Sequence, residues 1–148
     1  KIKSIGSFVS INSEISTKDL NIHLINLNKV FSLPVIERSC DRLIFREYKK
    51  EQKLVEGKFN ILEPSKFSNL VLPELFFVPC LGFDHKGYRI GYGGGYYDKT
   101  FAYLKNNNMT FISVGFAFEE QKITEVPIDK FDYRLDYILT EKQLYRIL

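Results

Sequence analysis

Residues Tyr88–Lys99 read YRIGYGGGYYDK, with Gly91, Gly93, Gly94 and Gly95 crowded ahead of two tyrosines and the carboxylate of Asp98. Ordering a glycine costs more backbone entropy than ordering any other residue, so such a run answers a backbone need. That need is either a turn with positive φ or a main chain lying close against a ligand. A simple reversal of the chain does not require four glycines, which favours ligand contact. Beyond the loop, Tyr97, Phe101 and Leu104 recur at helical spacing, and Asn106–Asn108 close the segment. The stretch therefore reads as a glycine-rich turn delivering the chain into a helix N-terminus. Bare N–H groups and the helix dipole favour an anion there, and Arg89 and Lys99 flank the turn with positive charge. A P-loop would end in Gly-Lys-Ser/Thr, whereas this loop ends in Gly-Tyr-Tyr. The dinucleotide pattern GxGxxG also fails, because Tyr96 stands at its last glycine.

Working outward, ELFFVPCLGF (Glu74–Phe83) is the most apolar stretch and reads as a central strand, with Pro79 implying a bulge or an edge position. DHKG (Asp84–Gly87) signals a tight turn between it and the glycine loop. Further upstream, SIGSFVSI (Ser4–Ile11) is β-branched and aromatic like a buried strand. STKD (Ser16–Asp19) resembles a capping box, and Leu20, Leu24 and Leu27 give the helix after it one apolar face. VFSLPVI (Val30–Ile36) completes a strand–helix–strand unit of crossover length. RLIFREY and KLVEGKFNIL predict an antiparallel excursion, and TFISVGFAF (Thr110–Phe118) and YILT (Tyr137–Thr140) two more strands. The pattern predicts one α/β domain over 1–148, three-layered, with a mostly parallel central sheet and an antiparallel excursion.

Composition narrows the function classes. At 148 residues, 45% hydrophobic and 26% charged, the chain is an ordinary globular protein. Its net charge of +3 is not concentrated, and the dense run REYKKEQK (Arg46–Lys53) interleaves acids with bases, so no nucleic-acid partner is expected. No apolar run reaches the length that spans a bilayer, and no membrane partner is expected. Cys40 and Cys80 lack a CxxC spacing and read as free thiols, which fits a cytoplasmic protein. His23 and His85 are too far apart in sequence for a zinc motif. No Ser/His/Asp arrangement is visible.

Side-chain roles in the loop stay open on chemistry alone. Tyr92 and Tyr96 could stack on a flat ring or fill the core, while Tyr97 belongs to the helix's apolar stripe. Asp98 could be an acid favoured by the helix dipole, or could hold Mg²⁺ beside a phosphate.

The longer stretch VPCLGFDHKGYRIGYGGGYYDK (Val78–Lys99) resembles the signature of the 5-formyltetrahydrofolate cyclo-ligase (methenyltetrahydrofolate synthetase) family. That signature runs Val-Pro-Gly-x-x-Phe-Asp, a spacer, Gly-x-Arg-Leu-Gly, and a glycine loop closing in Gly-Tyr-Tyr-Asp. ILEP (Ile61–Pro64), GFAFEEQ (Gly115–Gln121), VPIDKFDYRLDYILTE and the early SFVSINSEIST are similar to further family segments, so the resemblance covers nearly the whole chain.

The resemblance implies a cytoplasmic ligase of one-carbon metabolism. Its reaction would be ATP-dependent cyclisation of 5-formyltetrahydrofolate to 5,10-methenyltetrahydrofolate, releasing ADP and phosphate. The formyl oxygen attacks the γ-phosphate, the second bridging nitrogen closes the ring, and phosphate leaves. Such phosphoryl transfer needs positioning and charge neutralisation rather than a protein nucleophile. By the same resemblance, Arg89, Ile90, Gly91, Tyr92, Gly93, Gly94, Gly95, Tyr96 and Tyr97 would embrace ATP. Tyr92–Tyr96 would also touch the folate, together with Val9 and Glu14. Asp98 and Asp132 would bind Mg²⁺, and a monomer is expected. Without the resemblance Asp132 is a turn residue, Glu14 an exposed acid and Val9 a core residue. Two departures stand out. Cys80 occupies a family glycine, and the family's leading helical segment with its Lys and Arg is not among these 148 residues. Either that segment lies outside them, which leaves the activity intact, or this member lacks it. The second case predicts a catalytically silent nucleotide- or folate-binding module on the same fold.

Overall fold

In the computed structural model, which describes residues 1–148, the chain runs β1 (Ser4–Gly6), α1 (Lys18–Ile25), β2 (Val30–Val35), β3 (Ile44–Glu47), β4 (Val55–Glu56), β5 (Leu62–Glu63), β6 (Leu70–Val71), β7 (Leu75–Pro79), β8 (Gly82–Phe83), β9 (Arg89–Ile90), α2 (Tyr96–Asn106), β10 (Ile112–Phe116), β11 (Tyr137–Leu139) and β12 (Leu144–Arg146). Eight strands form one sheet in the order β12-β11-β10-β7-β1-β2-β3-β6. The five central strands from β11 to β2 are mutually parallel, and β12, β3 and β6 join antiparallel at the two sides. Small hairpins β4–β5 and β8–β9 stand outside it.

Alternation along β7 divides the core. Phe76 and Val78 face α2 and pack with Tyr97, Phe101 and Leu104, whereas Phe77 faces the other way and packs with Leu24 of α1, Ile5 and Phe31. The result is three layers, helix–sheet–helix, as the pattern predicts. Phe101 is fully buried, edge-on to Phe76 at 5.3 Å and stacked on Phe111 at 5.1 Å. Burying one such side chain contributes roughly 1.5–3 kcal/mol.

Three local expectations are corrected. The first strand stops at Gly6 rather than reaching Ile11, because side chains take over its hydrogen bonds. Thr17 Oγ1 and Asn21 Nδ2 both donate to the Phe8 carbonyl, at 2.8 and 2.9 Å. The capping box of Ser16 and Asp19 does not form. Thr17 is the N-cap residue of α1 and its hydroxyl is committed to Phe8, while its N–H donates to Ser10 Oγ at 2.7 Å. Pro79 marks neither a bulge nor an edge. It is the last residue of β7, opposite Phe116 and beyond the end of the pairing with β1.

Strand order also positions the site. The connection from β1 through α1 leads to β2 on one side, and that from β7 through α2 leads to β10 on the other. The C-terminal ends of β1 and β7 therefore diverge at a topological switch point, where open α/β sheets bind ligands.

Candidate active site

Past the end of β7 the chain makes the β8–β9 hairpin, and one buried carboxylate holds its turn. Asp84 Oδ1 accepts from the N–H groups of Lys86 and Tyr88 at 3.0 and 3.1 Å, and Oδ2 accepts from Val126 N at 2.9 Å. Gly87 completes the turn with φ +90°. Gln121 fastens the hairpin's base, its Nε2 lying 3.3 Å from the carbonyls of both Cys80 and Leu81. Cys80, in the family's glycine position, is buried against the Val78 carbonyl. It is accommodated because the facing residue is Gly115, where a methyl group would come within 3.0 Å of the thiol. Burial pushes that thiol up to about 11, and it is unpaired, as is Cys40.

β9 then delivers the glycine loop. Gly93 and Gly95 hold φ of +92° and +68°, and Gly95 is the N-cap residue of α2. Side chains at Gly91 and Gly94 would meet the Arg89 guanidinium and the Tyr96 ring, each at 2.8 Å. Gly93 differs, since a methyl group there would meet no protein atom within 4 Å. Its backbone faces open space directly before the helix N-terminus. Gly91–Gly94 are exposed, and Lys99 Nζ reaches the Gly94 carbonyl at 3.5 Å.

The loop after β1 forms the facing wall. Tyr92 is exposed and its hydroxyl donates to the Ile11 carbonyl at 3.4 Å, joining the two walls. Glu14 is buried rather than exposed, with Oε1 accepting from Ile11 N at 2.9 Å. Burial raises its carboxyl above the usual range, opposed by that N–H and by the Arg89 charge. Arg89 is half-buried, donates to the Pro79 carbonyl at 3.1 Å, and lies 5.2 Å from the Tyr97 ring centre. Tyr97 is core, as its place in the helical stripe predicts, but its hydroxyl has no hydrogen-bond partner.

On the other flank, Asp98 Oδ1 accepts from Tyr133 N at 3.1 Å. Burial raises its carboxyl, and the charges of Asp132 and Asp129 push it further against the opposing pull of Tyr133 N and Arg89. The Asp98 and Asp132 carboxylates, distant in sequence, thus feel one another. Asp132 also serves its own turn, with Oδ2 accepting from Asp129 N at 2.9 Å. No three acidic, histidine or cysteine side chains converge as a complete metal cage. Two carboxylates with oxygens to spare suit Mg²⁺, which takes one or two carboxylates and completes its shell with water and phosphate.

Two expected residues sit less centrally. Val9 is half-buried and packs on the Ile5–Phe31 side of the core, and Ile90 lies over Gly82 within the hairpin. Sequence reasoning missed Lys58 and Phe59 at the tip of the β4–β5 hairpin. Lys58 Nζ lies 3.4 Å from Tyr96 Oη, and Phe59 is exposed with φ of +59°. The short run GKFN carries no chemical pattern of its own, and only the fold brings it to Tyr96.

The chain as a whole is similar to known proteins. The family model described as the 5-formyltetrahydrofolate cyclo-ligase family matches residues 1–141. The chain belongs to that family. It is a ligase by this membership, and 5-formyltetrahydrofolate cyclo-ligase of Haemophilus influenzae is 37% identical over 143 residues, covering 93% of this chain and 75% of that protein. The Escherichia coli enzyme of the same name is 30% identical over 148 residues, covering 96% and 80%. Aquifex aeolicus 5,10-methenyltetrahydrofolate synthetase, solved by NMR, superposes with a TM-score of 0.79 at 26% identity, over 99% of this chain and 72% of that one. Within this family fold, no helix is long and apolar enough to cross a membrane.

Proposed function

We propose that this cyclo-ligase converts 5-formyltetrahydrofolate to 5,10-methenyltetrahydrofolate with ATP and Mg²⁺, releasing ADP and phosphate. One observation carries the reading. Gly93, held at positive φ and open on its outer side, leads into the α2 N-terminus at the sheet's switch point, close to Arg89. This is a backbone cradle for phosphates.

In this reading the main chain from Arg89 to Tyr97 embraces ATP, and its N–H groups hold the phosphate oxygens. Arg89 and Lys99 neutralise part of their charge. Glu14, buried on the facing wall, accepts from an N–H of the folate. Val9 and the loop from Tyr92 to Tyr96 line the folate's path. Asp98 and Asp132 would hold Mg²⁺, which supplies positive charge to the phosphates when bound. The site has no need of a protein nucleophile, since the formyl oxygen attacks the γ-phosphorus and ADP departs. The neighbouring nitrogen then closes on the formyl carbon, and phosphate leaves with the original formyl oxygen. Holding the two substrates in this order supplies most of the acceleration.

Measuring ADP release tests the reading. Release that requires both 5-formyltetrahydrofolate and Mg²⁺ supports it. Saturable ATP binding without such release would instead favour a silent binding module.

A further inference from the structure

The hairpin of β4 and β5 stands outside the main sheet, yet its tip touches the glycine loop. Lys58 is exposed, and its Nζ donates to Tyr96 Oη at 3.4 Å. Tyr96 follows the N-cap residue Gly95, and a methyl group on Gly94 would come within 2.8 Å of its ring. The phenol to which Lys58 is tied therefore lies along the loop itself. Lys58 forms no ion pair within 4 Å, although Glu56 and Glu63 belong to the same hairpin. Phe59 beside it holds a left-handed φ of +59° while 66% exposed, so burial does not offset the strain at the tip. A tip kept in this form calls for a use outside the chain's own contacts.

The chemistry of this pair selects an anion. An ammonium carries three donors, and Tyr96 Oη occupies one of those on Lys58. Accepting from Lys58, the phenol keeps its own O–H as a further donor. Lys99 Nζ brings a second ammonium to the same segment, 3.5 Å from the Gly94 carbonyl, and it too lacks an ion pair. Two uncompensated cations at the start of α2 add to the positive end of its dipole. In the reading above, Tyr96 belongs to the stretch that meets both substrates. The phosphate nearest to it is then the one that passes between them.

We propose that Lys58 is a binding contact for the terminal phosphate of ATP, reaching it from the hairpin tip with Tyr96 as its anchor. The assignment rests on the ATP reading above and deepens it. The glycine loop offers N–H groups, and Lys58 adds a full positive charge that no side chain from Ile90 to Tyr96 carries.

The test compares wild type with Lys58→Met by calorimetric titration, using ATP, ADP and 5-formyltetrahydrofolate as separate probes, the nucleotides with Mg²⁺. Melting of the unliganded proteins is followed alongside. Loss of a charge-assisted hydrogen bond at an exposed site corresponds to a Kd for ATP weaker by roughly tenfold. ADP lacks the terminal phosphate, so its affinity should remain within about twofold, as should that of the folate. Melting should hold, because Lys58 has only the exposed contact with Tyr96 to lose. Unchanged ATP affinity overturns the assignment, as does equal weakening of ATP and ADP. A loss confined to 5-formyltetrahydrofolate also overturns it, since Lys58 would then serve a carboxylate of that substrate. A clear fall in melting temperature overturns it too, by giving Lys58 to the fold. Wild-type protein that fails to bind ATP overturns the functional reading and this assignment with it. That result is distinct from the assignment failing alone, in which wild type binds ATP and the variant does not discriminate it from ADP in its losses.

Discussion

Substituting Gly93 by alanine separates the two explanations of a glycine-rich loop. Gly93 holds φ of +92°, and a methyl group there would meet no protein atom within 4 Å. The cost to the fold is therefore backbone strain alone, about 1–2 kcal/mol for a left-handed alanine. At about 2–4 °C per kcal/mol for a chain of this size, melting should fall by roughly 2–8 °C. If phosphates lie against this backbone, the added methyl occupies their space, and ATP affinity should drop at least about tenfold, or 1.4 kcal/mol. Thermal melts followed by circular dichroism give the first quantity, and calorimetric titration with ATP and Mg²⁺ at a temperature where the variant is folded gives the second. The cradle reasoning is refuted if Gly93→Ala melts a few degrees lower yet binds ATP within twofold of wild type. Gly87→Ala is the contrasting case. It combines φ of +90° with a methyl only 2.9 Å from the Leu135 carbonyl and Ile147, so it should melt lower than Gly93→Ala while ATP affinity holds.

Three further outcomes are expected. Because burial and the neighbouring acids raise the Asp98 carboxyl, the folded chain loses stability as pH climbs from the ordinary carboxylate range through that raised value. Asp98→Asn should therefore gain stability relative to wild type across that window in metal-free melts, yet lose Mg²⁺-dependent turnover by more than about tenfold. Asp84→Asn leaves at least one of its three backbone N–H donors (Lys86, Tyr88 and Val126) without an acceptor, and urea denaturation should report a loss of about 3 kcal/mol. Phe101→Ala empties a fully buried aromatic site between Phe76 and Phe111, and the same assay should show a loss of about 3–5 kcal/mol.

Legibility in the sequence followed the physics of each signal. Periodicity made α2 plain, since Tyr97, Phe101 and Leu104 are all buried on one face. Apolar runs marked β2, β7, β10 and β11 because those strands are covered on both sides. The end of β1 was hidden, because strand propensity continues through Phe8 while Thr17 and Asn21, farther along the chain, claim its carbonyl. The capping box failed because the helix starts one residue later, at an N-cap of Thr17, and Ser16 Oγ accepts from Lys18 N instead. At the site, the glycine loop is local and could be read directly. Glu14 looked exposed because its burial depends on the loop folding back over Ile11. The meeting of Lys58 with Tyr96, and the hydrogen bond from Tyr133 N to Asp98 that draws the Asp132 segment toward α2, depend on tertiary placement that no spacing encodes.

The most direct test of the proposed activity mixes this chain with ATP, Mg²⁺ and 5-formyltetrahydrofolate and follows absorbance in the band of the methenyl product. The expected result is a rise that needs all three components and disappears when any one is withheld. A folded chain that binds ATP and the folate but produces no rise, or a rise that proceeds without ATP, would contradict it.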